Sequence, residues 1–220
     1  MSQTRLIEAK LKNKTPNWSQ TQNSSGRWVG CGPTAWAIVL GYWKQYKGKN
    51  KLLTGLNMPH SQSGSSDADL HKHINQLAKD TETSEANYQG VKFGRTLPRN
   101  MDKAKKFIQR NNKYTCSIER DLGPEFSKFR KVKTSLLNDR PVIILINDLP
   151  QIFSTLHYPV IEKAELKQEK RFRHSKWRDR RVRYYVNMGN GKREWICVRE
   201  VGVNKSKHTG SFSMFHLKIN

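Results

Sequence analysis

The chain has 220 residues, enough for one good-sized hydrophobic core, so a single domain spanning residues 1–220 is the starting expectation. Lys and Arg outnumber Asp and Glu by 41 to 18, and the formal charge of +23 favours acidic partners: nucleic acid, anionic lipid or acidic protein. Hydrophobic residues make up only 35 %, but six Trp, seven Tyr and eight Phe supply large buriable areas and exclude disorder throughout.

Cys31, Cys116 and Cys197 are an odd number without metal-type pairing, which argues against a disulfide framework and a zinc site; no metal or cofactor is expected. The first ten residues lack the apolar core of a signal peptide, and no later run approaches the roughly 18 apolar residues of a spanning helix, so the chain reads as soluble.

Residues 1–30 are polar and turn-rich and are expected to form an extended segment leading to Cys31. From Pro33 the pattern changes to Thr34-Ala35-Trp36-Ala37-Ile38-Val39-Leu40-Gly41-Tyr42-Trp43, apolar on every face, as in a helix buried in the middle of a domain. Pro33 suits its first turn, where a missing N–H costs nothing. Residues 44–57 read as a basic connection and 60–67 as a loop ending in an N-cap candidate, Asp67. A helix is expected from Ala68 to about Lys79, irregular chain over 80–100, a helix over 102–110 and a short strand over 114–118. Phe126, Phe129, Val132, Leu136 and Leu137 have helical spacing, and Pro141-Val142-Ile143-Ile144-Leu145-Ile146 is a buried strand. The last third alternates as antiparallel sheet over 157–166, 182–188, 194–203 and 211–219. Between the first two of these lies the most basic stretch of the chain, residues 167–183, expected to be an inserted hairpin or loop.

Gly30-Cys31-Gly32-Pro33 places a cysteine at the start of the buried helix. Unpaired N–H groups and the positive end of the helix dipole there favour thiolate, the attacking species, and the Cys31 N–H can donate to an oxyanion formed after attack. Glycines on both sides let the backbone come close to a substrate. A nucleophilic cysteine needs a base and the base an orienter, brought together by folding. Among seven histidines His157 is the best base, at the start of a strand directly after the buried one. His216 ranks second, while His60, His71, His73, His174 and His208 read as solvated. Asn187, ending a strand next to that of His157, is the candidate orienter; Asn190 beside Gly191 reads as a turn residue.

Gly-Cys-Gly-Pro-Thr-Ala-Trp-Ala, then a helix leading to Pro-Val-Ile-Ile, then His-Tyr-Pro-Val-Ile and Tyr-Val-Asn, resembles the bacterial branch of the papain-like cysteine peptidases. The likeness runs over three blocks, roughly residues 17–46, 126–165 and 183–203, in the family's Cys, His, Asn/Asp order. It implies an α+β papain-like fold, Cys31 as nucleophile, His157 as base and Asn187 as orienter. It also implies a side-chain amide upstream of the cysteine in the oxyanion hole, for which Gln20 or Gln22 would serve. The Cys-Gly-Ser-Cys-Trp signature of plant and lysosomal members is absent, which argues against that branch.

Within the basic segment Arg171, Arg173, Lys176, Arg178, Arg180, Arg181 and Arg183 are interleaved with Phe172 and Trp177, the composition of a phosphate-tracking strip with stacking residues. A solvated hairpin, a nucleic-acid strip and a dock for an acidic protein, substrate or inhibitor, all fit that composition. Three functions follow: a peptidase acting on a protein substrate, a glutamine deamidase or acyl-transfer effector using the same site, and a nucleic-acid-binding module with an inert cysteine. A peptidase core with high positive charge and no signal peptide further resembles toxin domains of large secreted bacterial proteins. Such domains are delivered into a target cell and held in check by an acidic immunity protein.

Overall fold

The structure is a computed structural model and describes residues 2–22, 26, 28–56, 68–88, 90–112, 114–147, 156–202 and 210–220. Its described elements run β1 (Gln3–Lys10), α1 (Cys31–Tyr46), α2 (Ala68–Asp80), β2 (Ser84–Tyr88), β3 (Val91–Arg95), a 3-10 helix (Pro98–Ala104), α3 (Lys105–Asn112), β4 (Cys116–Asp121), α4 (Glu125–Leu137), β5 (Val142–Asn147), β6 (Leu156–His157), β7 (Val160–Lys170), β8 (Arg178–Asn187), β9 (Arg193–Glu200) and β10 (Gly210–Ile219). The class is α+β, with an antiparallel sheet in the order β4-β10-β5-β7-β8-β9 drawn mainly from the C-terminal half; β1 joins it along β7 and β6 along β5. The loop expected over 60–67, with Asp67 as N-cap, lies outside the described residues.

β5 shows why its sequence is apolar without interruption. A strand sends alternate side chains to opposite faces, and here both faces are covered. Ile143 and Leu145 join a core built with α1, α2 and α3, whereas Val142, Ile144 and Ile146 join a second core beneath α4. On the first face Trp36 and Leu40 of α1 pack with Ile74, Phe107 and Phe215. On the second, Phe129, Val132 and Leu136 of α4 meet Ile161, Leu166 and Tyr184. The apolar character of α1 on all sides has the same cause: every residue from Gly32 to Trp43 is buried. Gly41 is the point where the indole of Trp18 crosses the helix, and a Cβ there would come within 2.6 Å of that ring.

Three expectations change. The N-terminal segment is not extended chain alone, because residues 3–10 form β1, paired antiparallel with β7 from Gln3↔Lys170 to Lys10↔Lys163. The region read as irregular, 80–100, holds the β2-β3 hairpin, a separate two-stranded sheet, and the start of the 3-10 helix. The short strand expected at 114–118 runs instead over Cys116–Asp121, in register with β10. Within residues 167–183, β7 continues to Lys170, the chain turns, and β8 returns antiparallel from Arg178. No helix among the described residues is long and apolar enough to cross a membrane.

Candidate active site

Cys31 is the first residue of α1 and is half-buried. The three residues before it are clamped from two sides: the Val29 N–H donates to the Thr21 carbonyl at 2.9 Å, and the Gly94 N–H of β3 donates to the Trp28 carbonyl at 2.7 Å. Glycine is required here by the protein itself. At Gly30, where φ is +101°, a Cβ would lie 2.3 Å from the Gly94 carbonyl oxygen, and at Gly94 one would lie 2.1 Å from that of Val29. A Cβ at Gly32 would reach 2.6 Å from the Thr96 hydroxyl. These glycines bring the cysteine loop against the β2-β3 hairpin, a packing role beyond the approach to substrate expected of Gly30 and Gly32. Gly94→Ala forces two backbones apart and should cost about 1–3 kcal/mol of stability, of the order found for overpacked sites. Urea denaturation checks it, and an unchanged midpoint would show that the hairpin yields freely.

One turn into α1 the Thr34 hydroxyl donates to the Gly30 carbonyl at 2.9 Å, and no side chain caps the helix. Pro33 has no N–H to offer, so the donors at the helix mouth are the backbone N–H groups of Cys31 and Gly32.

The neighbours of His157 in the chain are tied to the surroundings of this mouth. His157 pairs with Ile146 through β6, and the next residue, Tyr158, donates its hydroxyl to the Thr96 carbonyl at 3.0 Å. Thr96 is the residue against which Gly32 packs. Burial raises the Tyr158 phenol far above its ordinary value, and negative charge at Cys31 pushes it further in the same direction. On the far side of the ring, His157 Nε2 lies 2.8 Å from the Met188 carbonyl oxygen. A carbonyl only accepts, so Nε2 carries the proton and Nδ1 of the neutral ring is left as a base. The residue after Met188, Gly189, lies over α1, where its Cβ would meet Thr34 and Ile38 at 3.5 and 3.7 Å. Of the two segments that flank the imidazole, the one at Gly189 thus lies against the first turns of α1, and the one at Tyr158 reaches the helix start through Thr96.

Asn187 is fully buried, and both protons of its amide nitrogen are used: one to the Thr15 hydroxyl at 3.0 Å, one to the Pro16 carbonyl at 2.9 Å. Its oxygen accepts the Gly189 N–H at 3.0 Å. It thus holds the backbone that presents the Met188 carbonyl. Residues not singled out in the sequence complete this support. Glu162, 4 % exposed, accepts the Thr15 N–H and hydroxyl, and Arg193 Nε lies 3.1 Å from both of its oxygens. Arg193 also donates to Asn17 Oδ1 and to the Thr15 carbonyl. A buried carboxylate in a strand and an arginine about thirty residues on were the available signal, but nothing local tied either to the cysteine.

That network fixes residues 15–17, and the chain then runs past Ser19, bridged to Asn190, to Gln20, whose N–H donates to the Gly189 carbonyl at 3.2 Å. Gln20 is half-buried beside the histidine's support; Gln22 is exposed and bridged to Trp28. The expected turn residue Asn190 accepts the Lys192 N–H.

The other histidines separate from this centre. His216 lies between Phe215 and Leu217, which face the α1 core, and itself contacts Ser135 of α4 on the opposite face of the sheet. His73 is not solvated as expected: its ring stands edge-on to Phe107, its Nε2 donates to the Thr54 carbonyl at 2.7 Å, and burial lowers its pKa. His174 is exposed, His71 is partly buried, and His60 and His208 lie outside the described residues. Cys116 and Cys197 are both pushed up by burial, away from the thiolate.

In the basic hairpin the cations divide. Arg180 and Lys167 both pair with Glu169 at 2.9 Å, and Arg183 pairs with Glu165. Trp177 lies under the Arg5 guanidinium, 4.3 Å from the ring centroid, with the Lys170 ammonium at 5.0 Å. Arg171, Arg173, Arg178 and Arg181 have no carboxylate within ion-pair distance among the described residues.

A comparison with curated proteins found no match. The model of the Peptidase_C39 like family matches residues 12–175, which takes in Cys31, His157 and the upstream glutamines and ends before Asn187. With a match over more than half its length, the chain belongs to the Peptidase_C39-like family of cysteine peptidases.

Proposed function

We propose that the protein is a papain-like cysteine peptidase that cleaves a protein substrate with Cys31 as nucleophile, His157 as base and Asn187 as the residue that positions the base through the backbone. The observation that carries this reading is the Nε2–H bond from His157 to the Met188 carbonyl, because it fixes the tautomer whose Nδ1 can take a proton from sulfur. In the reaction, Nδ1 accepts the Cys31 proton and the sulfur attacks the scissile carbonyl carbon. The Cys31 N–H, with the Gln20 side-chain amide, receives the oxyanion. His157 then returns the proton to the departing amine, leaving a thioester, and in the second half takes a proton from the water that hydrolyses it.

The same atoms would release ammonia from a glutamine side chain, so a deamidase or acyl-transfer effector is the second reading. The +23 charge and the unpaired arginines of the hairpin support a toxin or effector domain that docks an acidic protein, substrate or immunity partner. Nucleic-acid binding has weaker support, since the hairpin's Trp177 is already stacked with the protein's own Arg5.

Mass spectrometry of proteins exposed in parallel to wild type and Cys31→Ala tests the reading. New termini that appear with wild type alone are the expected result. A gain of about one mass unit at glutamine without new termini would replace the peptidase by the deamidase, and identical spectra from the two proteins would sink both.

A further inference from the structure

Beneath α4, on the face of the sheet opposite the cysteine, lies a cavity of about 370 Å³ whose lining includes Arg130, Lys131, Ser135, Arg140, His216 and Lys218. Glu119 also lines it, but that carboxylate is engaged by Lys131 at 2.7 Å, and Lys131 lies a further 3.6 Å from Asp121. Arg130, Arg140 and Lys218 have no carboxylate within ion-pair distance among the described residues. Two buried nitrogens in the lining lack a hydrogen-bond partner, Nε of Arg140 and Nε2 of His216.

An unsatisfied buried donor costs free energy, and two together beside three uncompensated cations call for an acceptor. Ser135 Oγ is 2.9 Å from His216 Nδ1. When the hydroxyl donates to that nitrogen, Nε2 bears the proton and becomes a donor. Burial pushes the His216 pKa down to about 4, against the raising effect of Glu119 and Asp121, so at neutral pH the ring acts as a neutral donor and the arginines and lysine carry the charge. Two guanidinium groups, an ammonium, an imidazole N–H and the hydroxyl of Ser117 line it from separate elements, β4, α4, the segment after α4, and β10, while the Thr134 hydroxyl is spent on the Arg130 carbonyl. A planar carboxylate has two oxygens to offer such a set. A phosphate group has three or four, and a higher charge.

We propose that this cavity binds the phosphate group of a small ligand, at a site separate from the cysteine. The proposal stands independently of the peptidase reading.

Isothermal titration calorimetry of the full chain at fixed ionic strength, with inorganic phosphate and with ribose 5-phosphate as probes, tests it. Saturable one-to-one binding is expected. Arg140→Met and Lys218→Met should each weaken it at least tenfold, whereas Arg171→Met and Arg173→Met, which remove the same charge from the hairpin, should change it less than twofold. Lys218 is exposed, so its variant keeps the test open if Arg140→Met fails to fold. Equal affinity for the two probes assigns the site to phosphate itself, and tighter binding of the ester assigns it to a phosphorylated small molecule; both support the site. Equal losses in the cavity and hairpin variants would mean nonspecific attraction to a basic protein and overturn the proposal, as would the absence of saturable binding.

Discussion

His157→Gln is expected to lower peptide hydrolysis by about 10³-fold or more, within the range seen when a member of a nucleophile-base pair is lost, while the thermal midpoint moves little. Glutamine is of similar reach and its amide can still donate to the Met188 carbonyl, so the support from β8 has a partner and the change falls on the base alone. The measurement is steady-state turnover of the substrate found by mass spectrometry, alongside a melting curve of the same preparation. Retention of a tenth of the wild-type rate would remove His157 from the mechanism and send the search for a base elsewhere. A large fall in the midpoint would instead assign the residue a structural duty.

Arg193→Met should have the largest effect on stability. The guanidinium bonds Glu162, Asn17 and the Thr15 carbonyl, and removing it leaves a buried carboxylate without its countercharge. Breaking one side of such a buried pair costs about 3–5 kcal/mol. At roughly 2–4 °C per kcal/mol for a chain of this size, the midpoint should drop by about 6–20 °C. Activity should fall as well, because the strut holds the segment that leads to Gln20. The double variant Glu162→Gln with Arg193→Met removes the stranded charge and should recover part of the loss. A drop below about 2 °C in the single variant would mean that water screens the pair.

Much of the molecule was legible for physical reasons that differ from element to element. α1 announced itself because a helix buried on all sides has nowhere to place polar residues, and β5 because a strand covered on both faces cannot alternate. The cysteine was visible because Gly-Cys-Gly-Pro compresses a helix start into four residues. The β2-β3 hairpin was not, since its two strands pair with each other and, through Trp28, with the cysteine loop, and not with the main sheet whose apolar runs stand out in the sequence. β1 was hidden for a related reason: most of its side chains are exposed, and its partner lies about 160 residues further on. Asn187 was picked out by its place at a strand end, but its bonds to Thr15, Pro16 and Gly189 depend on a loop whose path no local pattern encodes. His216 was ranked by its position along the chain, which carries no information about which face of a strand looks at the cysteine.

The bonds that tie Thr15 and Asn17 to Asn187 and Arg193 have a consequence in time. They join residues 171–178 positions apart, so these bonds of the loop beside the cysteine cannot form until synthesis has passed Arg193. Contacts of such separation form late, after the entropy of closing the intervening loop has been met. A nascent or truncated chain therefore carries the thiol without the apparatus around it.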